Sequence, residues 1–362
     1  MRIEDLDKNF ASESVDGVEL SFLDAFTAPM ELGGFPFWAH DRVYCRLSQS
    51  SLAKQTAGVR GLSWHCSGGQ VRFRTDSPAL AVRVELISVA HMNHMPSSGH
   101  SGVDMYVGAG AEKHYVKTAM PVAGQNHYCA LLARGVGGGE RDVTLNFPLY
   151  NGVKRLEVGF SPQARLSAPT PFKIAKPVLF YGSSITQGGC ASRPGNSYTH
   201  HLGRRLDAPI INFGFSGNAR GELPMAELIA ALDLSALVLD YDHNAPNVEH
   251  LAATHQPFFR YIRERRPDLP VVLVTRPDVD LSPTDSERRR AVVRRTYDDA
   301  CTAGDRHVYF VDGFTLFGHT DRDACTVDGC HPNDLGFVRM ADGIEPALRK
   351  ALGAYESLTG AH

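Results

Sequence analysis

The chain has 362 residues, 43% of them hydrophobic and 21% charged, with a formal net charge of −3. That is ordinary globular material, long enough for two domains with separate cores. So small a net charge gives no field that would gather nucleic acid or anionic lipid, and neither is expected as a partner.

The N-terminus, MRIEDLDKNFASESVDGVEL, has acids where a secretory leader needs a basic start and an apolar run. No later stretch stays apolar for the roughly 18 residues that a spanning helix needs. Seven cysteines (Cys45, Cys66, Cys129, Cys190, Cys301, Cys325 and Cys330) are odd in number, scattered and without a CxxC pair. Reduced thiols in a cytoplasmic protein are expected. Cys325 and Cys330 with His331 and His319 lack the paired spacing of a zinc site, so these thiols are read as free and no metal is expected.

From about residue 40 to 160 the apolar residues alternate. Val71 and Phe73 alternate with Arg72 and Arg74, and Leu80, Val82, Val84 and Leu86 with Ala81, Arg83 and Glu85; Val143, Leu145 and Phe147, and Leu156, Val158 and Phe160, repeat the pattern. Period two means strands with one buried face. Turn material separates them and no useful helical period intervenes, so an antiparallel β-sandwich is expected over 1–165. Gly135 to Gly139 leads into the strand DVTLNFPLY rather than a helix N-terminus, which favours a hairpin tip over a phosphate loop. HMNHMPSSGH, His91 to His100, reads as a flexible connection, with a soft-metal tract or a loop over the active site as the rival readings.

SPQARLSAPTPFKIAKP, with four prolines, is a linker. Beyond it, PVLFYG, PIINFG, ALVLDYD, PVVLVTR and HVYFVDG read as strands buried on both faces, separated by helical stretches at 197–206, 248–265 and 284–303. Five strands alternating with helices predict a doubly wound α/β domain over 172–362.

In such a sheet the chemistry sits at the carboxyl ends of the strands. Strand one ends in Gly182-Ser183-Ser184-Ile185-Thr186, strand two in Asn212-Phe213-Gly214-Phe215-Ser216-Gly217-Asn218, and strand three in Asp240-Tyr241-Asp242-His243-Asn244-Ala245-Pro246; Asp328-Gly329-Cys330-His331-Pro332 precedes the last helix. A serine hydroxyl needs a histidine to take its proton, and the histidine needs a carboxylate to fix its tautomer. Asp328 and His331, three apart, can supply both. Backbone N–H groups at Ser184 and Gly217 and the side-chain amide of Asn244 suit an oxyanion hole.

Each residue also has a plainer reading: Ser184 as a helix N-cap, Gly217 as a tight turn, Asn244 as an Asx-turn and Asp328 as a helix cap. His331 is harder to explain that way. Ser216 is a rival nucleophile, but Asn218 breaks the Gly-x-Ser-x-Gly pattern. His243 and Arg276 are candidate substrate contacts, with His243 favoured as structural and Arg276 balanced between an anionic substrate and Asp278. Arg288, Arg289, Arg290, Arg294 and Arg295, mixed with acids, read as a solvated helix face.

GSSIT, NFGFSG, DYDHNAP and DGCH, in that order, resemble the four blocks of the SGNH or GDSL-type serine esterases, over roughly residues 177–352. The resemblance implies a three-layer α/β/α, flavodoxin-like domain, with Ser184 as nucleophile, Gly217 and Asn244 in the oxyanion hole, Asp328 as orienting acid and His331 as base. It implies no cofactor. Gly102-Val103-Asp104-Met105-Tyr106 resembles the Gly-x-Asp-Leu-Tyr signature of a sandwich domain found before such hydrolases, with Met for Leu, a volume-conserving swap. Ser183 stands where the family usually has aspartate.

The expected function is hydrolysis of a small acyl ester through an acyl-serine, with an acetylated sugar or oligosaccharide as substrate on the strength of the resemblance. Alternatives are a carbohydrate-binding protein with an inactive hydrolase domain and, lacking the required Gly-rich loop, a nucleotide-binding protein. No membrane partner is expected, and a homo-oligomer is compatible with the sequence.

Overall fold

Val71 and Phe73 on one strand, and Val143 and Leu145 on its neighbour, send alternate side chains into a single apolar cluster, as period-two strands must. The computed structural model describes residues 1–3, 12–135 and 137–359, with side chains of the last helix described through Gly353. Two compact units divide the chain. The first is Met1–Ser48, Trp64–Lys173 and Ser192–Gly195; the second is Gln49–Ser63, Ile174–Ala191 and Asn196–His362. Each therefore includes a short piece of chain from the other's side of the linker.

The first unit holds β1 (Ser12–Val15), β2 (Val18–Asp24), β3 (Glu31–Gly33), α1 (Trp38–Asp41) and β4 (Gln70–Thr75). The helix between them, α2 (Ala57–Leu62), belongs to the second unit. There follow β5 (Leu80–Leu86), α3 (Ser97–His100), β6 (Val103–Val107), β7 (His114–Ala119), β8 (His127–Ala133), β9 (Arg141–Asn146), β10 (Val153–Phe160) and β11 (Leu166–Ser167). They form two antiparallel sheets, ordered β1-β2-β10-β5-β8 and β11-β4-β9-β6-β7, with β3 added to β4. The apolar cluster draws on both: Val82, Val84, Leu156 and Val158 from one sheet, and Val71, Phe73, Met105 and Leu145 from the other.

Two sequence expectations need correction here. Gly135 to Gly139 is not a hairpin tip, because β8 pairs with β5 whereas β9 pairs with β4 and β6. Val136 itself lies outside the described residues. Turn chemistry says that the chain reverses, and distant partners decide which strands pair. Nor is Arg72 on a solvent face: its guanidinium donates to Thr170 O and stacks 3.5 Å from the Phe172 ring, so the linker covers it. In the His91–His100 stretch, His100 is buried and its Nδ1 lies 2.7 Å from Ser101 Oγ.

The second unit is built from β12 (Val178–Gly182), α4 (Ser184–Gln187), α5 (Tyr198–Leu206), β13 (Ile210–Gly214), α6 (Leu223–Ala231), β14 (Ala236–Asp240), α7 (Val248–Arg265), β15 (Val271–Val274), α8 (Pro283–Thr302), β16 (Val308–Val311) and α9 (Asp334–Thr359). Its parallel sheet has the order β13-β12-β14-β15-β16, and β12, β13, β14 and β15 are buried throughout. Helix α5 packs with α9, while α6, α7 and α8 pack one on the next. Gly182 is in register with both Gly214 and Asp240, so three strands end level at the sheet's carboxyl edge. The chain leaves β12 towards β13 on one side and returns to β14 on the other, which makes this edge the switch point of the sheet. Among the described residues no helix is long and apolar enough to cross a membrane.

Candidate active site

The strand β12 stops at Gly182 because the next residue caps a helix. Ser183 Oγ accepts the N–H of Ile185 at 3.1 Å, an N-cap that makes Ser184 the first residue of α4. Ser183 is almost fully buried, so a neutral cap stands where the family's aspartate is expected. Ser184 then carries its hydroxyl at the end of the strand.

The partner histidine comes from a turn before α9. There Asp328 Oδ1 accepts the N–H of His331 at 2.7 Å and of Cys330 at 3.0 Å, and Val327 N–H bonds to His331 O. The other carboxylate oxygen, Oδ2, lies 2.8 Å from His331 Nδ1, and His331 Nε2 lies 3.0 Å from Ser184 Oγ. Burial opposes the Asp328 charge, but the His331 and Cys330 bonds outweigh it and hold this carboxyl down at about 2. Asp328 therefore does not cap α9; Asn333 Oδ1, accepting from Gly336 N–H, does.

Gly217 follows β13 with φ 68°, a left-handed conformation that glycine adopts without penalty. Open space lies on its Cα where a side chain would stand, and its N–H meets no acceptor among the described residues. Asn244 ends the 3₁₀ turn Asp242–Asn244 after β14, and its Nδ2 donates to Phe215 O at 2.9 Å. Phe215 N–H in turn donates to Gly182 O at 2.8 Å. The ends of three strands are thus bonded together, and one hydrogen of the Asn244 amide remains beyond the Phe215 bond.

Several residues that hold this edge were given no role of their own by the sequence. Asn212 donates to Thr186 O at 2.6 Å and accepts from Gly214 N–H, while Gln187 Oε1 accepts from Ser216 N–H at 3.0 Å. Beneath α4, Asp240 Oδ2 accepts from Thr186 at 3.0 Å and Tyr198 at 2.8 Å. Burial, and then Asp242, push the Asp240 carboxyl up to about 8. For Thr186, Asn212 and Asp240 the sequence signal was their place in the polar blocks that end the strands. The Asn218 amide lies where a side chain at Gly58 of α2 would begin, so this helix supports the Gly217 turn.

The remaining candidates fall elsewhere. Ser216 makes no bond to a histidine among the described residues. Arg276 grips Asp278 with two bonds, 3.1 and 2.7 Å, and His243 Nε2 lies 2.5 Å from Asp278 Oδ1. Both candidate substrate contacts are therefore engaged with the same buried carboxylate. Arg289 corrects the solvated-face reading: it is 6% exposed and donates to the carbonyls of Asp242 and Ala245, clamping the Asn244 turn. Its neighbours Arg288 and Arg294 pair with acids at the surface. The Cys330 thiol is half-buried and pushed up to about 12 by burial, then by Asp278 and Asp328.

Residues 175–349 match the GDSL-like lipase/acylhydrolase family, and residues 20–166 match the N-terminus of SGNH-hydrolase-type esterases. The chain belongs to the SGNH/GDSL-type esterases. As a member it is a carboxylic-ester hydrolase. Among solved structures, a candidate GDSL-like lipase from Bacteroides ovatus is 26% identical with a TM-score of 0.83, covering 92% of this chain and 98% of that one. The salicylyl-acyltransferase SsfX3 of a tetracycline biosynthetic pathway is 22% identical, TM-score 0.75, over 92% and 98%. The acetyl xylan esterase Est2A from the rumen bacterium Butyrivibrio proteoclasticus is 15% identical, TM-score 0.52, over 80% and 91%. The last two are likenesses of fold. No curated protein matches the chain.

Proposed function

We propose that this esterase removes small acyl groups, acetyl above all, from a sugar or oligosaccharide through an acyl-Ser184 intermediate. The observation that carries the reading is the hydrogen-bonded run Ser184 Oγ, His331 Nε2, His331 Nδ1, Asp328 Oδ2 at 3.0 and 2.8 Å. With its Nδ1–H held by Asp328, His331 offers Nε2 to the serine proton. Ser184 Oγ attacks the ester carbonyl, His331 takes the proton and passes it to the leaving alcohol, and water repeats the cycle on the acyl-serine.

The developing oxyanion is met by the N–H groups of Ser184 and Gly217 and the Asn244 amide, each worth about 3–4 kcal/mol in well-studied cases. In the same reading the chain comprises a β-sandwich over 1–165 and a three-layer α/β/α, flavodoxin-like domain over 172–362, supported by the shared apolar cluster and the 2-1-3-4-5 strand order. The sugar ester is supported by the fold likeness to an acetyl xylan esterase. A cytoplasmic setting is supported by seven free thiols.

The test is hydrolysis of p-nitrophenyl acetate and butyrate by wild type, Ser184→Ala and Ser216→Ala, followed by acetylated oligosaccharides. Turnover of acetate that is lost only in Ser184→Ala supports the reading. A preference for long acyl chains sinks the sugar ester. Oligosaccharide binding without any turnover favours the carbohydrate-binding alternative.

A further inference from the structure

His243, Asp278 and Cys330 come from three separate loops of the second unit, and none belongs to the Ser184–His331–Asp328 run. Their ligand atoms, an imidazole nitrogen, a carboxylate oxygen and a sulfur, all lie within 4.8 Å of one another. His243 Nε2 is 2.5 Å from Asp278 Oδ1 and 4.0 Å from Cys330 Sγ. Around a tetrahedral zinc ion, with bonds of about 2.0–2.1 Å to N or O and about 2.3 Å to S, such pairs stand roughly 3.3–3.6 Å apart. One separation must open and the other close, each by about 1 Å or less, which is within reach of small side-chain torsions.

We propose that His243, Asp278 and Cys330 form a regulatory site for a zinc-class divalent cation, with water as the fourth ligand, whose occupation slows ester turnover. The donor set decides the class of ion: imidazole and thiolate suit zinc, whereas magnesium and calcium demand oxygen ligands. On binding, the Cys330 thiol gives its proton to solvent.

The surroundings accept the charge. Arg276 stays on Asp278 Oδ2 at 2.7 Å, and its own charge is faced by Asp285 at 3.6 Å. Its main-chain N–H bonds to Asp242 Oδ2, and the second oxygen of Asp242 is buried without a hydrogen-bond partner among the described residues. Three carboxylates (Asp242, Asp278 and Asp285) thus surround two guanidinium groups, Arg276 and Arg289. Asp278 forms the buried floor, while His243 and Cys330 are half-buried, so the ion enters from their side.

The consequence follows from the chain. Cys330 is bonded to His331 and donates its N–H to Asp328 Oδ1 at 3.0 Å, and His243 immediately precedes Asn244. Drawing sulfur and imidazole onto one ion shifts both the base and an oxyanion donor relative to Ser184. This effect on turnover rests on the proposed esterase reading; the binding does not.

The test uses the metal-free full-length protein with cobalt(II) as a spectroscopic probe and zinc as competitor. Wild type is expected to show a thiolate-to-cobalt charge-transfer band that zinc abolishes, and to lose p-nitrophenyl acetate turnover over the same zinc range. Cys330→Ala should lack the band and need about tenfold more zinc, or beyond, for inhibition. His243→Gln, checked by its melting curve, serves if Cys330→Ala does not fold. No band in wild type, or equal zinc inhibition in the variants, overturns the proposal. A band in a protein that hydrolyses no ester keeps the metal site and removes the esterase reading.

Discussion

Ser184 Oγ and His331 Nε2 stand 3.0 Å apart although 147 residues separate them in the chain. Each is set in place by a local device: an N-cap at Ser183 for the serine and an aspartate-closed turn for the histidine. Their meeting requires the strand β12 and the turn before α9 to share one edge of the second unit's sheet. In the proposed mechanism this separation is within hydrogen-bond reach for proton transfer from serine to imidazole.

Asp328→Asn should lower kcat by about 10³–10⁴-fold with little change in KM. The amide oxygen can still accept the N–H groups of His331 and Cys330, but its NH₂ then faces His331 Nδ1. That selects the tautomer with a proton on Nε2, which cannot take the serine proton. Steady-state kinetics at saturating ester reads the effect directly.

If the proposed oxyanion hole holds, Asn244→Ala should cost about 10²–10³ in kcat by removing one of its donors. Gly217→Ala keeps its N–H and should retain most of kcat, while losing about 1–2 kcal/mol of stability because φ is 68°. Comparing kcat with the urea midpoint separates the two behaviours.

Asp240 gives a pH signature of stability. Its folded-state carboxyl titrates at about 8, raised above the ordinary value near 3.9, so its contribution is complete below about pH 4 and is lost as pH climbs through about 8. Asp240→Asn keeps an acceptor for Thr186 and Tyr198 and carries no charge at any pH. Melting temperatures should therefore move in the variant's favour between about pH 5 and pH 8; a constant difference across that range would contradict the assignment.

Ser183→Ala removes the cap on α4 and should destabilise the protein by about 1 kcal/mol. Because the cap also starts the helix that carries Ser184, kcat should fall as well. Ser183→Thr, which can accept the same N–H, should restore part of both.

The second unit's five strands were legible because buried parallel strands read as unbroken apolar runs such as VLFYG and ALVLD. Ser184, Asp328 and His331 were legible as residue types following strands or preceding a helix. What escaped were relations between distant segments. Arg72 and Arg289 look like surface residues until Phe172 and the Asp242 carbonyl are brought to them. For His243 and Arg276 the sequence left a substrate contact open beside a structural role, and their shared bond to Asp278 favours the structural one. The membership of Gln49–Ser63 in the second unit left no mark in its composition.

That last feature bears on how such a protein can be taken apart or recombined. Because Gln49–Ser63 is counted with the hydrolase unit and Ser192–Gly195 with the β unit, a cut at Lys173 leaves neither fragment whole. A gene fragment beginning at Ile174 would lack α2, against which the Asn218 side chain rests, and so would weaken the turn at Gly217. Replacing residues 1–173 as a block would likewise remove Gln49–Ser63 from the hydrolase unit.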